Sequence, residues 1–379
     1  MSGVTPPEHG GDFMRSEALA SAVCVDDVEE LARANLPHAV WDFIAGGSGR
    51  EETLRANRQA LERVRVVPRV LRGASSCTTE ARFFGSPVSM PVAIAPVAYH
   101  TMVHPDGERA TARAARDHAI PLTVSTFSSQ SIESVVEVGG SVWFQLYWLR
   151  DERTTLDLVR RAEDAGCEAL MLTVDVPWMG RRSRDLRNHF AIPHGVGAAN
   201  LPPELQPSAD PPRSTASTVA DDTANMVRPS LTWSDVEKLR AYSRLPLILK
   251  GILDPDDAAR AIECGADGLV VSNHGGRQLD GAVTSIDALE AVTTVVNHRC
   301  LVLLDSGIRS GTDVLRALAL GADGVLVGRP VIWGLAAAGG GGVKHVLDIL
   351  GAELLDALGL SGCATVGEAR ELRTLTSAT

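Results

Sequence analysis

Three stretches of the chain repeat one grammar: AGCEALMLTVD (165–175), CGADGLVVSNH (264–274) and LGADGVLVGRP (320–330). In each, a helical stretch stops at a Gly, an acidic residue follows two positions later, and a short apolar run closes on polar residues or Gly. A Gly is favoured there because the residue that ends a helix often takes a left-handed conformation that a Cβ disfavours. A strand apolar on both faces belongs in a parallel sheet covered on both sides. The repeated unit is therefore a helix C-cap, a turn and a buried strand.

Eight segments fit the strand part of this pattern: PVAIA (91–95), PLTVS (121–125), VWFQL (142–146), ALMLT (169–173), PLILK (246–250), GLVVS (268–272), LVLLD (301–305) and GVLVG (324–328). Helical periodicity fills most of the gaps, at 107–118, 131–138, 151–166, 254–265, 285–296 and 311–321, and a last helix is expected at 343–359. Eight βα alternations predict an α/β fold of the (β/α)₈ TIM-barrel type. A doubly wound open sheet has the same local pattern. The count of eight and the lack of a GxGxxG after any strand favour the barrel.

Two pieces fall outside the rhythm. Residues 26–63 hold amphipathic helices, DDVEELARANL and EETLRANRQALERV, ahead of the barrel. Residues 177–231 intervene between the fourth strand and its helix, rich in Pro, Ser, Thr, Ala and Asp, and read as a lid or a disordered excursion. WSDVEKLRAY then resumes the barrel as a helix. The expected organisation is a flexible leader over 1–25, one domain over 26–372 and a tail over 373–379.

Composition excludes several classes. Lys and Arg number 36 against 47 Asp and Glu, a net charge of −11, and a nucleic-acid footprint needs a basic face. The six cysteines are far apart with no CxxC pair, which favours reduced thiols over a disulfide framework. No signal-peptide pattern opens the chain, and no run reaches the roughly 18 apolar residues of a membrane span. A cytoplasmic protein without a nucleic-acid or membrane partner is expected. No P-loop, HExxH or GxSxG motif is present, and no metal site is expected.

In a (β/α)₈ barrel, chemistry gathers at the carboxyl ends of the strands. Those ends carry Pro96, Val97 and Ala98; Ser125 and Phe127; Gln145 and Tyr147; Thr173 and Asp175, with Arg182 just beyond; Lys250; Ser272, His274 and Arg277; Asp305, Ser306, Gly307, Ile308 and Arg309; and Gly328 and Arg329. DSGIRSGTD and VGRP read as a phosphate site. Small residues allow close backbone approach, a helix N-terminus offers N–H groups, and Arg309 and Arg329 supply charge. SNHGGRQLDG pairs His274 with Arg277, which suits a carboxylate substrate that must lose a proton. Asp175 is the candidate partner for His274, and WMGRRSRD supplies a second cation.

The chain also resembles a family, the FMN-dependent α-hydroxy-acid oxidases and dehydrogenases. The resemblance rests on SMPVAIAPVAYHTMVHPDGE, FQLYWLRD, LTVDVPWMGRR, LKGI, VSNHGGRQLDG, LLDSGIRSGTDVLRALALGADGVLVGRPV and LSGC, and spans roughly residues 26–372. It implies that FMN is held by Pro96, Val97, Ala98, Ser125, Gln145, Thr173, Lys250 and Ser272. The phosphate would lie among Asp305, Ser306, Gly307, Ile308, Arg309, Gly328 and Arg329. It further implies that His274 is the base supported by Asp175, that Arg182 and Arg277 hold the substrate carboxylate, and that Tyr147 touches the reacting end. Homo-oligomers, tetramers in particular, are the family habit.

Three positions depart from the family pattern. Phe43 stands where members often have Tyr, Phe127 where glycolate oxidases have Trp, and Ser306 where Gly is usual. Together with APVAYH and DVPWMGRR, this combination is most similar to the members that oxidise 4-hydroxymandelate in arylglycine antibiotic pathways. The expected reaction is oxidation of an aromatic (S)-2-hydroxy acid to the 2-keto acid, with O₂ reduced to H₂O₂ and an aryl ring against Phe43 and Phe127. Another acceptor, or a small substrate such as lactate or glycolate, is the alternative. Two other readings remain open at this level: an aldolase or isomerase using Lys250 as a Schiff base, and a catalytically silent phosphate-binding barrel.

Overall fold

A computed structural model describes residues 18–73, 76–206 and 218–376, with the backbone alone at 218–221. Eight strands form one closed barrel: β1 Val92–Ile94, β2 Leu122–Val124, β3 Val142–Leu146, β4 Ala169–Thr173, β5 Leu247–Ile252, β6 Gly268–Val271, β7 Leu301–Leu304 and β8 Gly324–Val327. Every neighbouring pair is parallel, and β8 closes the ring on β1 with Val325 opposite Val92. Closure decides against the open sheet.

Both faces of the strands are buried, which is why they read as unbroken apolar runs. Ala93, Trp143, Met171, Ile248, Val270, Leu303 and Leu326 fill the interior, with Phe83 from the Ala81–Phe83/Ser86–Val88 hairpin. Gly324 is obligatory for that plug, since a Cβ there would come within 2.7 Å of the Phe83 ring. Outward residues such as Val92, Ile94, Leu122 and Leu304 pack under the helices. The helices after the strands begin with caps that the sequence supplies. Ser131, Asp151, Asp254, Thr284 and Ser310 each accept a backbone N–H of the first turn.

Four expectations change. The helix expected at 343–359 is followed by a short helix at Val366–Ala369 and itself runs over Arg329–Ser361, with a break at Ala338 and Gly339. The AAAGGGG run hid its first half, because Gly is a poor helix former. The two halves meet at Gly334 and Gly342, where a Cβ on Gly342 would lie 1.9 Å from the Gly334 carbonyl oxygen. A helix at His38–Ala45 was not anticipated; it buries Val40, Trp41, Phe43 and Ile44. The leader boundary at 25 falls too late: Ala22 and Val25 are buried, and His345 Nε2 lies 2.8 Å from the Ala22 carbonyl oxygen. The segment read as a tail contributes Thr374–Thr376, paired antiparallel with Val64–Val66.

The insertion is less polar in its packing than in its composition. Phe190, Ile192, Ala198, Leu201, Met226 and Val227 are buried, and helices form at Ser183–Arg187 and Thr218–Met226. The part of the excursion at 207–217 lies outside the described residues. All six cysteines are free thiols. Among the described residues no helix is long and apolar enough to cross a membrane.

Candidate active site at the carboxyl ends of the strands

The turn after β6 builds the first element of the site. Asn273 forms a buried amide pair with Asn57 of the helix Glu52–Arg63, at 2.9 and 2.7 Å. Its side-chain oxygen also accepts the Gly276 N–H. This holds His274 at φ 59, a left-handed conformation uncommon for a residue with a Cβ. Nδ1 of His274 lies 2.9 Å from Oδ1 of Asp175, just past the end of β4. That contact leaves Nε2 for the cavity. Burial works against the Asp175 carboxylate, but the charge and hydrogen bond of His274, with Lys250 behind, outweigh it and hold the group below the ordinary carboxylate range. Gly251, at φ 113, makes room for this pair. A Cβ there would sit 2.5 Å from the Asp175 Cβ.

Two arginines converge beside His274. The Arg277 guanidinium donates to the carbonyls of Phe43 at 2.7 Å and Gly46 at 2.9 Å, and lies 5.1 Å from the Phe43 ring centroid. Arg182 lies 5.8 Å from the same centroid, and its Nε is buried without a partner. Phe43 in turn stacks on Phe190 at 4.6 Å. Burial, then the neighbouring charges of Arg182 and Arg329, depress Arg277 well below its usual range, and burial lowers Arg182 too. Two like charges side by side, Arg182 buried and Arg277 half-buried, favour an anion between them. Tyr147 stands on the same wall; burial raises its ionisation, so it stays a neutral phenol.

The deeper end is cationic as well. Lys250 bonds to Asp305 Oδ2 and Ser272 Oγ, each at 2.9 Å. Burial disfavours its charge, but Asp305 and Asp175 more than compensate, and the ammonium is held above its usual range. An amine held protonated is a poor Schiff-base nucleophile, which counts against the aldolase reading. Gln145 links β2 to β4, accepting the Thr126 N–H at 3.1 Å and donating to Thr173 Oγ1 at 3.0 Å. Arg329 donates to the carbonyls of Ile44, Gly46 and Gly275, and Arg309 lies 4.5 Å over the Trp333 ring. Burial and their mutual repulsion push Arg309 down to about 9, and burial foremost pushes Arg329 down to about 10. Gly307, at φ 109, brings bare backbone to the same corner.

One cavity joins the two ends. Phe43, Pro96, Val97, Ala98, Ser125, Phe127, Gln145, Tyr147, Thr173, Arg182, Lys250, His274, Arg277, Asp305, Ser306, Gly307, Ile308, Arg309, Gly328 and Arg329 all line it. Asp175 and Ser272 do not. Asp175 stands behind His274, and Ser272 is fully buried with its hydroxyl accepting from Lys250 and from the His274 N–H. The lining also includes Tyr99, Met179 and Thr223, which sequence reasoning passed over. Tyr99 lay within the motif APVAYH and had a signal. Thr223 sits in the polar insertion and had none.

Comparison with known proteins follows the same lines. The FMN-dependent dehydrogenase family matches residues 32–374. The chain is 56% identical over 352 residues to 4-hydroxymandelate oxidase of Amycolatopsis orientalis, covering 93% of this chain and 98% of that one. It is 46% identical over 352 residues to L-lactate oxidase of Nostoc sp., covering 92% and 96%. A solved structure of mandelate oxidase with (S)-4-hydroxymandelic acid superposes with a TM-score of 0.92 at 56% identity, covering 94% of this chain and all of that one.

Proposed function

The chain belongs to the FMN-dependent dehydrogenase family and oxidises 2-hydroxy acids with FMN, and from that premise we propose that its substrate is an aromatic (S)-2-hydroxy acid of the mandelate type, oxidised to the 2-keto acid with O₂ as acceptor. The observation that carries this reading is the shape of the cavity's outer end. Arg182 and Arg277 meet the His274–Asp175 pair there, and Phe43, Phe127, Tyr147 and Tyr99 supply aromatic walls.

The residues suit FMN. A phosphate at Arg309, Arg329 and the Gly307 backbone would relieve two half-buried guanidinium groups that repel each other. Pro96, Val97, Ala98, Ser125, Gln145 and Thr173 line the space for the ring, beside the protonated Lys250. Bound FMN supplies the two-electron acceptor. Arg182 and Arg277 grip the substrate carboxylate, and Arg277 is already fixed by two carbonyls before substrate arrives. His274 accepts the substrate proton at Nε2, while Asp175 holds Nδ1 and stabilises the imidazolium that forms. Tyr147 donates its phenol hydrogen toward the reacting carbon's oxygen. Phe127 packs the aryl ring.

The deciding measurement is anaerobic flavin reduction by glycolate, lactate, (S)-mandelate and (S)-4-hydroxymandelate, followed by admission of air. The expected order places both mandelates far ahead in rate over Kd, with rapid reoxidation and H₂O₂ in air. Faster reduction by glycolate ends the aryl reading, and a flavin that stays reduced in air ends the oxidase reading.

A further inference from the structure

The segment HPDGE (104–108) follows the loop after β1 and ends on a buried acid. Glu108 stands in the first turn of the helix Gly107–Asp117, is 1% exposed, and lies outside the cavity lining. A carboxyl group so buried is retained only where donors satisfy it. Its hydrogen bonds all come from neutral donors, and these belong to two loops of the site.

From the loop after β1, the His100 N–H reaches Oε1 of Glu108 at 3.1 Å. From the loop after β2, the Ser129 N–H reaches the same oxygen at 2.8 Å, and the Ser129 hydroxyl lies 2.9 Å from Oε2. Ser129 Oγ in turn accepts the Thr101 N–H at 2.9 Å. The next residue of the helix adds a second tie, the Arg109 N–H donating to Gln130 Oε1 at 2.7 Å. Glu108 is thus a clasp between two backbones, and both enter the cavity beside it. Val97, Ala98, Tyr99 and His100 line the cavity from one loop and Phe127 from the other. Between these points the Tyr99 N–H donates to the Phe127 carbonyl at 3.2 Å, with Tyr99 left-handed at φ 58. The Phe127 ring then lies 6.3 Å from Tyr99 at 18° and 5.3 Å from Tyr147 at 32°.

We propose that Glu108 is a positioning residue that sets the aromatic wall of the active site, and with it the selectivity for substrates that carry a ring. The inference rests on the aryl reading above. A carboxylate suits the task because both of its oxygens accept, whereas an amide offers one accepting oxygen. Without it the His100 and Ser129 N–H groups lose their acceptor, and the loop that carries Phe127 is free to shift against the loop that carries Tyr99. A substrate ring feels that shift through its contact with Phe127. The substrate carboxylate and α-hydroxyl do not, because Arg182, Arg277 and His274 come from other strands.

The test is kcat/KM per bound flavin for (S)-mandelate and for L-lactate, in native, Glu108→Ala and Glu108→Gln proteins. Glu108→Ala should lower the mandelate-to-lactate ratio by about two- to tenfold, the share that an aromatic contact contributes. Glu108→Gln keeps one accepting oxygen and should recover part of the ratio; no recovery overturns the hydrogen-bonded clasp as the cause. A merely structural lesion lowers both substrates alike, so an unchanged ratio in a folded Glu108→Ala protein overturns the positioning role while leaving mandelate oxidation standing. A native enzyme that oxidises lactate but no mandelate overturns the aryl reading and this role with it. If Glu108→Ala does not fold, Ser129→Ala decides, since it cuts the link from Glu108 to the Thr101 N–H and keeps the Ser129 N–H bond. A fall in the ratio there supports the clasp, and no change overturns it.

Discussion

At the scale of single residues, most charges of the site, His274, Lys250, Arg277 and Arg329 among them, have protein partners already in place. His274 has one ring nitrogen on Asp175, and its backbone N–H donates to Ser272, so both the ring and the turn that carries it are held. His274→Asn keeps the groups proposed to hold the FMN phosphate and ring, which come mainly from other strands. FMN should stay bound while flavin reduction slows by ~10²–10⁴-fold, the usual loss for a general base. Stopped-flow reduction checks this, and near-native rates would remove His274 from the chemistry. Phe43 carries a second prediction. Its ring lies under Arg182 and Arg277 and is packed on Phe190, so a hydroxyl added by Phe43→Tyr would enter the pocket proposed for the substrate carboxylate. A hydrogen bond to a charged group contributes ~1.5–3 kcal/mol, and small acids with no ring to bury have most to gain. Glycolate kcat/KM should rise roughly tenfold or more relative to mandelate. An unchanged ratio means that the new hydroxyl does not reach the carboxylate.

The secondary-structure elements explain why these residues meet. β5 ends in an irregularity: its register with β6 shifts between Lys250 and Ile252, with Gly251 between them at φ 113. The bulge turns Lys250 into the cavity and leaves a hollow on the other side, which Asp175 occupies. Gly251→Ala strains the backbone and drives a methyl group into Asp175. We expect a loss of ~1–3 kcal/mol in stability and, because small displacements of catalytic groups are costly, a drop of about 10²-fold in flavin reduction. Thermal unfolding and stopped-flow kinetics measure the two effects separately. Full activity in a stable Gly251→Ala protein would falsify the packing argument. Insertions behave as elements too. The helix Thr218–Met226 belongs to the wall of the site because it is bonded to the loop after β3, not because its own residues are apolar.

On the scale of the whole molecule, a buried carboxylate helps join the N-terminal helices to the Arg309 end of the barrel. Asp313, fully buried on the helix after β7, accepts from Arg58 at 2.6 Å, from the Arg309 N–H at 2.9 Å and from Arg316 at 2.8 Å. Arg58 also donates to the Gly307 carbonyl. Asp313→Ala leaves these donors without their acceptor. Breaking a buried pair costs ~3–5 kcal/mol, and Arg58, a third exposed, moves the expected value to the low end, about 3 kcal/mol. FMN affinity should fall in parallel, since Arg309 and Gly307 lose their common anchor. Denaturant unfolding and a flavin-release titration report the two losses, and a stable variant that binds FMN normally would show that the N-terminal helices are held by other contacts.

The barrel itself was legible because its signal is local and repeated. Two-faced apolar strands, glycine stops and polar strand ends each follow from the conformation and burial of a few consecutive residues. Most cavity-lining positions were legible for the same reason, since a strand end fixes where its next residues point. What escaped depends on distant partners. Asp175 was named as the partner of His274, but the hollow made by Gly251 on β5 that lets the two meet at 2.9 Å was not, because it depends on barrel closure. The first half of Arg329–Ser361 is helical despite its glycines because Gly334 and Gly342 must touch. Thr223 reaches the cavity only through bonds to a loop some seventy residues earlier in the chain. Short-range pattern set the architecture and the chemical inventory; long-range packing chose which groups stand within hydrogen-bonding distance.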